Sequence, residues 1–356
     1  MKEKILAALS GGVDSAVAAH LLLGEGYDVS GITMKLYDPE NAVPDSDDIG
    51  EPSQDILDAK AICDTLGIEH FTVAFGESFC KNVIDSFAEE YKNGGTPNPC
   101  VECNRTIKFG KLMELTLSRG YDKLATGHYA RIEKAADGRY LLKKAIDVTK
   151  DQSYFLWSLS SEQLSHVLFP LGNMTKPEIR KIAAEQGFVN AHKSDSQDIC
   201  FIPNGDYAKF ICERTNESFP AGNFVDLSGN VLGKHSGIIN YTVGQRKGLG
   251  IALGKPAFVH SKDVTNNTVT LSDDAELYGT KLTASRINLS AVDDLYTPTR
   301  LYAKIRYRHT PAIATVTQSS PTTLALEFDE PQRAIARGQS VVLYDGDTVI
   351  GGGIID

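Results

Sequence analysis

The sequence predicts an α/β fold, in which an N-terminal parallel-sheet domain is followed by a small β-rich central module and a C-terminal antiparallel β-barrel. Two patterns carry this prediction. Up to residue 125, short β-type runs alternate with helical patterns, which is typical of a parallel sheet covered by helices. After about residue 206 the sequence becomes rich in β-formers and turns, and from residue 300 it alternates as in a small barrel. We therefore divide the chain into residues 1–203, 204–281 and 282–356.

The N-terminal elements follow from apolar runs of strand or helix length. The predicted strands are Ile5–Leu9, Val29–Met34, His70–Ala74 and Lys123–Ala125, and the predicted helices are Ala16–Leu23, Gln54–Leu66 and Ser78–Tyr91. Ligands of such sheets bind beyond the carboxyl ends of the strands. We therefore expect Ser10–Ser15, Met34 and Gly127, which follow or end three of these strands, to meet in one crevice.

The stretch ALSGGVDS (Ala8–Ser15) lies between the first strand and the first helix. Its two glycines allow a tight turn, its two serines add hydroxyl donors, and the positive end of the helix favours an anion. A Walker P-loop would need a lysine, and Asp14 stands there instead, a residue suited to Mg²⁺ that is bound to phosphates. The pattern resembles the PP-loop of ATP pyrophosphatases, which split ATP between the α- and β-phosphates and adenylate an acceptor. A plain strand–helix turn is the alternative.

Further elements follow in chain order. Ala130–Glu133 and Tyr140–Lys144 predict a hairpin around an Asp-Gly turn. Thr175 and Glu178 have the spacing of a capping box that starts a helix, and Tyr207–Glu213 predicts a short helix. The predicted barrel strands are Arg300–Tyr307, Ile313–Val316, Thr323–Phe328 and Ser340–Tyr344.

Six cysteines are too few and too scattered for a disulfide scaffold, which leaves thiol chemistry, metal binding or burial. Cys100 and Cys103 form a CxxC pair within Gly94–Asn104, which we predict to be a loop because its prolines and glycines forbid a regular element. The pair is compatible with half a zinc site, a redox couple or a nucleophile, and no second pair completes a zinc site. On spacing alone, Cys200 is predicted to be a small, buried apolar side chain.

Composition and charge exclude several classes of protein. The longest apolar runs fall far short of the roughly 20 residues that a membrane helix needs, and the N-terminus does not read as a signal peptide, so a cytoplasmic protein is expected. The net charge of −10 argues against a protein that coats nucleic acid indiscriminately. The acid-rich stretch Leu36–Ala59 predicts a solvated, mobile loop. Leu295–Leu326 carries four cations and no acid, a basic face compatible with a polyanionic partner or a plain solvated surface.

Eight motifs, spread over nearly the whole chain and in the same order, resemble those of the tRNA-specific 2-thiouridylases. These PP-loop enzymes replace the C2 oxygen of the wobble uridine of certain tRNAs with sulfur. The motifs are SGGVDS, TPNPCVECN, ATGHYAR, KDQSYFL, LGNMTKPEIR, SQDICF, YTVGQRKGLGI and KIRYRH. The resemblance implies ATP with Mg²⁺ held through its phosphates, tRNA as partner, and a sulfur donor that is a cysteine desulfurase or a sulfur-relay protein. It implies neither a DNA nor a membrane partner.

The resemblance also implies roles for individual residues. Cys103 matches the family's nucleophile, and Cys200 matches the cysteine that carries persulfide sulfur. The nucleotide would be bound by Ala8, Leu9, Ser10, Gly11, Gly12, Val13, Asp14, Ser15, Met34 and Gly127. The flipped target base would meet Asn98, Pro99 and Cys100, and other parts of the tRNA would touch His128, Lys150, Asp151, Gln152, Arg306, Tyr307 and Gln339.

The chemistry of this reaction fits the two cysteines. A uracil oxygen is a poor leaving group until ATP places AMP on it, and sulfur must then arrive as a nucleophile. A thiolate or persulfide ionises more readily than a hydroxyl, and we expect a neighbouring helix end or cation to lower its pKa further. Cys200 would deliver the outer sulfur, and Cys103 would attack the persulfide. This leaves a Cys103–Cys200 disulfide that an external reductant must reopen.

Cys100 departs from the family pattern, since many relatives carry at this position an aspartate that is assigned a part in proton handling. Either the thiol takes that part or the part is dispensable. A further hypothesis is an iron–sulfur cluster on Cys100, Cys103 and Cys200, as in some related tRNA thiolases.

Two rival functions are an enzyme that adenylates a small molecule and a catalytically inactive tRNA-binding protein. The first leaves the cysteines and the basic barrel unexplained, and the intact SGGVDS argues against the second.

Overall fold

The computed structural model describes residues 2–39, 42–189, 199–202 and 204–356, and it confirms the predicted fold class. The N-terminal region contains, in chain order, β1 (Lys4–Ala8), α1 (Val13–Gly24), β2 (Asp28–Lys35), β3 (Asp45–Ser46), α2 (Gln54–Leu66), β4 (His70–Phe75), α3 (Gly76–Phe79), α4 (Asp85–Lys92), α5 (Pro99–Cys103), α6 (Leu112–Ser118), β5 (Lys123–Ala125), β6 (Ala130–Lys134), β7 (Tyr140–Lys144), α7 (Ser161–Ser165), β8 (Val167–Leu168) and α8 (Lys176–Glu185). Two π-helical stretches, Cys80–Ile84 and Asn104–Lys111, join α3 to α4 and α5 to α6.

The N-terminal sheet has the strand order β3-β4-β2-β1-β5-β8, in which β3 alone runs antiparallel to its neighbour. Ile5, Leu6 and Ala7 of β1 are apolar and buried, so both faces of the strand are covered, as expected for a parallel strand between layers of helices. The register pairs Ala8 with Ile32 and Ala7 with Ala125. The carboxyl ends of β1, β2 and β5 therefore lie at the same edge of the sheet, where the segments that follow them begin.

Most acids in the described part of the stretch 36–59 are exposed, as its charge predicts, but the stretch is not a loop throughout. Its described part contains β3 and the start of α2. The Asp45 carboxylate accepts hydrogen bonds from the Ser78 backbone N–H (3.0 Å) and hydroxyl and from the Lys111 ammonium. Composition could not show that one of the acids, Asp45, has partners more than thirty residues away in sequence.

The prediction of a loop over Gly94–Asn104 was wrong for its second half, which forms α5 and runs on into the π-helical stretch Asn104–Lys111. Pro99 does not break this helix because it occupies the first turn, where its missing N–H has no partner to lose. The Asn98 side chain caps the helix by accepting a hydrogen bond from the Cys100 N–H at 3.2 Å. Both CxxC cysteines therefore lie on a short capped helix.

The central module and the barrel are built mainly from antiparallel strand pairs. The central module contains α9 (Tyr207–Thr215), β9 (Gly222–Val225), β10 (Val231–His235), β11 (Phe258–Asp263) and β12 (Thr268–Ser272), with the sheet order β10-β9-β12-β11 and one parallel pairing between β12 and β9. The barrel contains β13 (Tyr278–Asn288), β14 (Thr299–Lys304), β15 (Ala312–Ser320), β16 (Thr323–Arg333), β17 (Ser340–Asp345) and β18 (Thr348–Ile355), and it closes because β13 pairs with both β16 and β18. β13 begins ahead of the boundary that we predicted at 281/282, and the boundary at Pro203 lies outside the described residues. None of the helices in the described ranges has the length and apolar character needed to cross a membrane.

The barrel packs directly on the N-terminal domain. The predicted hairpin β6–β7 extends the barrel sheet through pairing of Lys143 with Thr348. The buried Tyr154 hydroxyl donates to the Ser340 carbonyl at 2.9 Å, and the Trp157 ring N–H donates to the Ser340 hydroxyl at 3.0 Å. These buried contacts fix the barrel against the domain that carries the glycine-rich loop.

Candidate active site

The turn between β1 and α1 has the geometry that its glycines predict. Gly11 has a φ of 67°, and a Cβ there would lie 2.5 Å from the Asp55 carbonyl oxygen, so only glycine fits. The Ser10 N–H donates to the Ser15 hydroxyl oxygen at 3.1 Å, which holds the turn against the first turn of the helix. Gly12 is the N-cap and supplies no side-chain cap, so N–H groups of the first turn are left available to an anion.

Several of the predicted nucleotide residues have side chains that face the core. Leu9 and Val13 are buried, so they would contact a nucleotide through their backbone. Met34 is half-buried and packs against the main core. A Cβ at Gly127 would lie 2.8 Å from the Ser15 backbone nitrogen, so this glycine lets the segment after β5 lie directly against the start of α1. The predicted convergence of the PP-loop and Gly127 is therefore present.

Lys176 supplies a cation to the PP-loop, and our sequence analysis missed it. Its ammonium, on the first residue of α8, donates to both Asp14 carboxylate oxygens at 2.7 and 2.9 Å. The Tyr129 hydroxyl donates to the same carboxylate at 2.8 Å. The Lys176 side chain is only 8 % exposed, which makes this a desolvated ion pair rather than a surface one. The available signal was the lysine inside the LGNMTKPEIR motif, directly after the capping residue Thr175.

The two cysteines with implied roles lie near one another in different environments. All six cysteines belong to the described part of the chain, and each is a free thiol. Cys103 is buried at the end of α5, whereas Cys200 is exposed, so the prediction of a buried Cys200 was wrong. The neighbouring Phe201 is the buried residue, and it packs edge-on against Phe79 and Phe87. This anchor holds Cys200 within electrostatic reach of Cys100, which in turn interacts with Cys103.

Burial controls the ionisation of these thiols. Loss of solvation raises the pKa of Cys103 to about 12, although the Lys108 ammonium lowers it and the neighbouring Cys200 and Cys100 raise it further. Desolvation by the surrounding protein also raises the pKa of Cys100 and of Cys200. Our expectation that a helix end or a cation would lower the thiol pKa is therefore wrong for the free protein, because desolvation outweighs the nearby charge.

Lys108 is the second functional residue that our sequence analysis missed. It follows Cys103 by five residues, and in the π-helical stretch Asn104–Lys111 residues five apart lie on the same face. Its ammonium interacts electrostatically with Cys100, Cys103 and Cys200. It also lies 3.5 Å from His128 Nε2. The π-helical geometry hid this neighbour, because an α-helix would have turned Lys108 away from Cys103.

His128 links the thiols to the PP-loop. Burial and the Lys108 charge hold the pKa of its imidazole well below the usual range, so the ring is neutral at pH 7. With Nε2 facing the Lys108 ammonium, Nδ1 carries the proton and donates to the Thr126 hydroxyl at 2.7 Å. His128 directly follows Gly127, which lies against Ser15. A continuous set of contacts therefore leads from the nucleotide loop to Lys108 and the cysteines.

The other residues implied in tRNA binding differ in whether their side chains are already bonded to other parts of the protein. The Tyr307 ring packs on Phe155 at a tilt of 40°, with ring centroids 4.4 Å apart, and Tyr307 interacts electrostatically with Lys150. Asp151 is buried and accepts from the Ala145 N–H and the Ser153 hydroxyl, and the Gln152 side chain accepts from the Tyr129 N–H, so these two side chains are used inside the protein. The Arg306 guanidinium donates to the Arg333 carbonyl at 2.9 Å. Gln339 lies apart, beside Thr96.

The predicted basic face of the barrel is less cationic than its sequence suggests. Arg300, the first of its four cations, forms an exposed ion pair with Asp329, just beyond the acid-free stretch. Lys304 is half-buried, and its ammonium lies 5.3 Å from the centroid of the Tyr307 ring. The charge available to a polyanion is therefore concentrated around Tyr307.

The ionisation of Cys103 can be measured directly. We expect iodoacetamide to alkylate Cys103 of the free protein very slowly at pH 8, because with a pKa of about 12 about one thiol in ten thousand is ionised. The rate constant should rise about tenfold per pH unit between pH 7 and 9. Mass spectrometry of the Cys103 peptide after timed quenching measures this rate. A rate that levels off near pH 8.5, as for an ordinary thiol, would contradict the assignment.

The chain matches three family models in sequence order. They are described as the tRNA methyl transferase HUP domain, over residues 3–204, the tRNA methyl transferase PRC-barrel domain, over residues 208–273, and the aminomethyltransferase beta-barrel domain, over residues 279–355. Together they span most of the chain.

Curated relatives are similar over their whole length. The tRNA-specific 2-thiouridylase MnmA of Clostridioides difficile is 46% identical, with 100% of this chain and 99% of the relative covered. The enzyme of the same name from Treponema denticola is 48% identical, with 99% and 98% covered.

Similar solved structures are more distant. The U34-tRNA thiolase NcsA from Methanococcus maripaludis with its [4Fe-4S] cluster is 22% identical, with a TM-score of 0.35 and coverage of 60% of this chain and 67% of that chain. A 4-thiouridine synthetase–RNA complex with bound ATP is 17% identical, with a TM-score of 0.36 and coverage of 60% and 50%.

Proposed function

The chain belongs to the family of tRNA-specific 2-thiouridylases, and from this premise we propose that it thiolates the wobble uridine of tRNA by ATP-dependent adenylation followed by persulfide sulfur transfer. The single observation that supports this most is the set of contacts from Ser15 through Gly127 and His128 to Lys108, which adjoins the cysteines. It joins a nucleotide-binding turn to a pair of thiols about one hundred residues apart in sequence.

In the first step, ATP lies on the PP-loop with its phosphates at the start of α1. The uridine O2 attacks the α-phosphorus, pyrophosphate leaves, and AMP remains bonded to O2. Lys176 lies beside Asp14 and offsets the carboxylate that would otherwise repel the phosphates. Among the described residues, no group of three His, Cys, Asp or Glu side chains is placed to hold a metal ion. Mg²⁺ is bound in such sites by one or two carboxylates and the phosphates, and the resemblance implies that the phosphates hold it here.

In the second step, sulfur reaches C2 through the two cysteines. A donor such as a cysteine desulfurase or a sulfur-relay protein loads the exposed Cys200 as a persulfide. Its terminal sulfur attacks C2, and AMP departs with the former O2. The Cys103 thiolate then attacks the Cys200 sulfur, the new C2–sulfur group leaves as thiouridine, and a Cys103–Cys200 disulfide remains for an external reductant.

The hypothesis of an iron–sulfur cluster finds no support among the described residues. Cys100, Cys103 and Cys200 all lie in the described ranges, and they are not among groups arranged to hold a metal. The exposed thiol of Cys200 is suited instead to accepting sulfur from a second protein. We therefore derive no step through a cluster.

The proposal is tested by incubating the protein with ATP, Mg²⁺, a tRNA transcript, a thiol reductant, and a cysteine desulfurase with L-cysteine as the persulfide donor. We expect pyrophosphate release that requires tRNA, and 2-thiouridine in the digested nucleosides, measured by mass spectrometry. An enzyme that adenylates a small molecule would release pyrophosphate without tRNA once given its own substrate. An inactive tRNA-binding protein would bind the transcript and release none, and either result would refute the proposal.

A further inference from the structure

The segment that leads into α5 is fastened to the C-terminal barrel. The Thr96 N–H donates to the Arg337 carbonyl at 2.8 Å, and the Gln339 side-chain amide donates to the Thr96 carbonyl at 2.7 Å. Both backbone groups of one residue are thus bonded to a single short stretch of the barrel. We call this pair of hydrogen bonds between Thr96 and Arg337–Gln339 the latch.

The latch is closely packed. Gly338 has a φ of 85°, and a Cβ there would lie 3.0 Å from both the Thr96 nitrogen and the Glu90 carboxylate. A Cβ at Gly95 would lie 2.1 Å from the same carboxylate. Gly338 therefore allows the barrel to approach the loop, and an alanine there would push the two apart, whereas Gly95 allows the loop to lie against Glu90 of α4.

The central module also contacts the segment that contains Thr96. The Lys262 ammonium lies 3.4 Å from the Gly95 carbonyl oxygen, and it also lies 5.7 Å from the centroid of the Tyr91 ring. The Arg337 guanidinium donates to the Asn93 carbonyl at 3.2 Å. All three parts of the chain therefore meet at the segment that precedes α5.

Gln339 is also the residue that the family resemblance places against tRNA. In this structure its amide is used by Thr96 instead, and Cys103, which lies seven residues after Thr96, is buried with a protonated thiol. Cys103 must become accessible before it can attack. The segment therefore has two arrangements, one with Cys103 buried and one with Cys103 accessible. A ligand shifts the equilibrium between them only by binding one arrangement better than the other.

We propose that Gln339 is a positioning residue for the segment that carries Cys103, and that tRNA bound at Gln339 takes its amide from Thr96 and so releases the latch. This rests on the proposed function, because tRNA is the ligand. Release passes along the two residues between Thr96 and α5, and it lets the helix move Cys103 out of the core. The catalytic thiol is thereby protected until tRNA is docked on the barrel.

Two variants separate the latch from a plain tRNA contact. Gln339→Met removes the donor at nearly constant length, whereas Gly338→Ala forces a Cβ against Thr96 and leaves the Gln339 amide in place. The control is Lys281→Met, which removes an exposed barrel lysine that is paired with Glu327, and it should change neither readout. The readouts are the alkylation rate of Cys103 without tRNA and the affinity for a tRNA transcript by fluorescence anisotropy. Neither requires thiolation, so failure of the proposed function would not change them.

We expect both variants to raise the alkylation rate of Cys103 about fivefold or more, as for loss of one net hydrogen bond. Gly338→Ala should bind tRNA as tightly as the wild type or more tightly, because tRNA no longer has to open the latch, whereas Gln339→Met should bind it more weakly. The proposal is overturned if both variants alkylate at the wild-type rate. It is equally overturned if Gly338→Ala exposes Cys103 but weakens tRNA binding, since the latch would then favour docking rather than oppose it.

Discussion

Replacement of Cys103 by serine is expected to lower the rate of 2-thiouridine formation by at least about 1,000-fold, because a serine hydroxyl cannot attack the Cys200 persulfide as a thiolate does. The adenylation step does not use this thiol. A single turnover of tRNA-dependent pyrophosphate release should therefore persist in the variant. Single-turnover assays with ATP labelled at the γ-phosphate, together with nucleoside mass spectrometry, measure the two steps separately.

The remaining cysteines provide the controls. Cys212→Ser removes a half-buried thiol of α9 that is not among the groups whose charge acts on Cys100, Cys103 or Cys200, and it should retain wild-type thiolation. Cys200→Ser should match Cys103→Ser in losing thiolation, and Cys100→Ser reports whether the thiol that replaces the family's aspartate is needed. Thiolation by Cys103→Ser within about tenfold of the wild type would show that Cys103 is not the resolving nucleophile.

The sequence predicted the N-terminal fold well because the signals there are local. A parallel strand is a short apolar run, and Ile5–Leu9 matches β1 to within a residue at each end. The turn after β1 was equally predictable, since Gly11 needs a positive φ and the pattern contains it. Elements whose conformation is decided by neighbouring residues were therefore found from the sequence.

The errors arose where distant contacts or unusual helices decide the structure. Asp45 is held by Lys111, sixty-six residues away, and charge composition cannot show such a pairing. The π-helical stretch after Cys103 alters the periodicity on which sequence patterns depend, so Lys108 was not recognised as a neighbour of the thiols. Lys176 and Gln339 reach their partners only through tertiary packing. The glycine-rich turn and the two cysteines were thus found from the sequence, whereas the lysines that lie beside them, Lys108 and Lys176, were not.

Lys176→Met is expected to lower the rate of tRNA-dependent pyrophosphate release by about 100-fold or more, the usual effect of removing a buried charged donor from a reacting phosphate site. Asp14 would keep the Tyr129 hydroxyl but lose both ammonium contacts, so its carboxylate would face the nucleotide phosphates with its charge no longer offset. The effect should appear in the affinity for ATP as well as in the rate. Pyrophosphate assays at several ATP concentrations separate the two.

The matched control is Lys181→Met, which removes an exposed lysine from the same helix, and it should behave as the wild type. The double variant Asp14→Asn/Lys176→Met decides how Lys176 acts. If the lysine mainly offsets Asp14, removing both charges should restore much of the lost rate, because the repulsion is gone. If it also binds a phosphate directly, the double variant should remain as slow as Lys176→Met. Wild-type ATP affinity and rate in Lys176→Met would instead show that the buried ion pair only stabilises the fold, and thermal unfolding of the same variant would then report its whole effect.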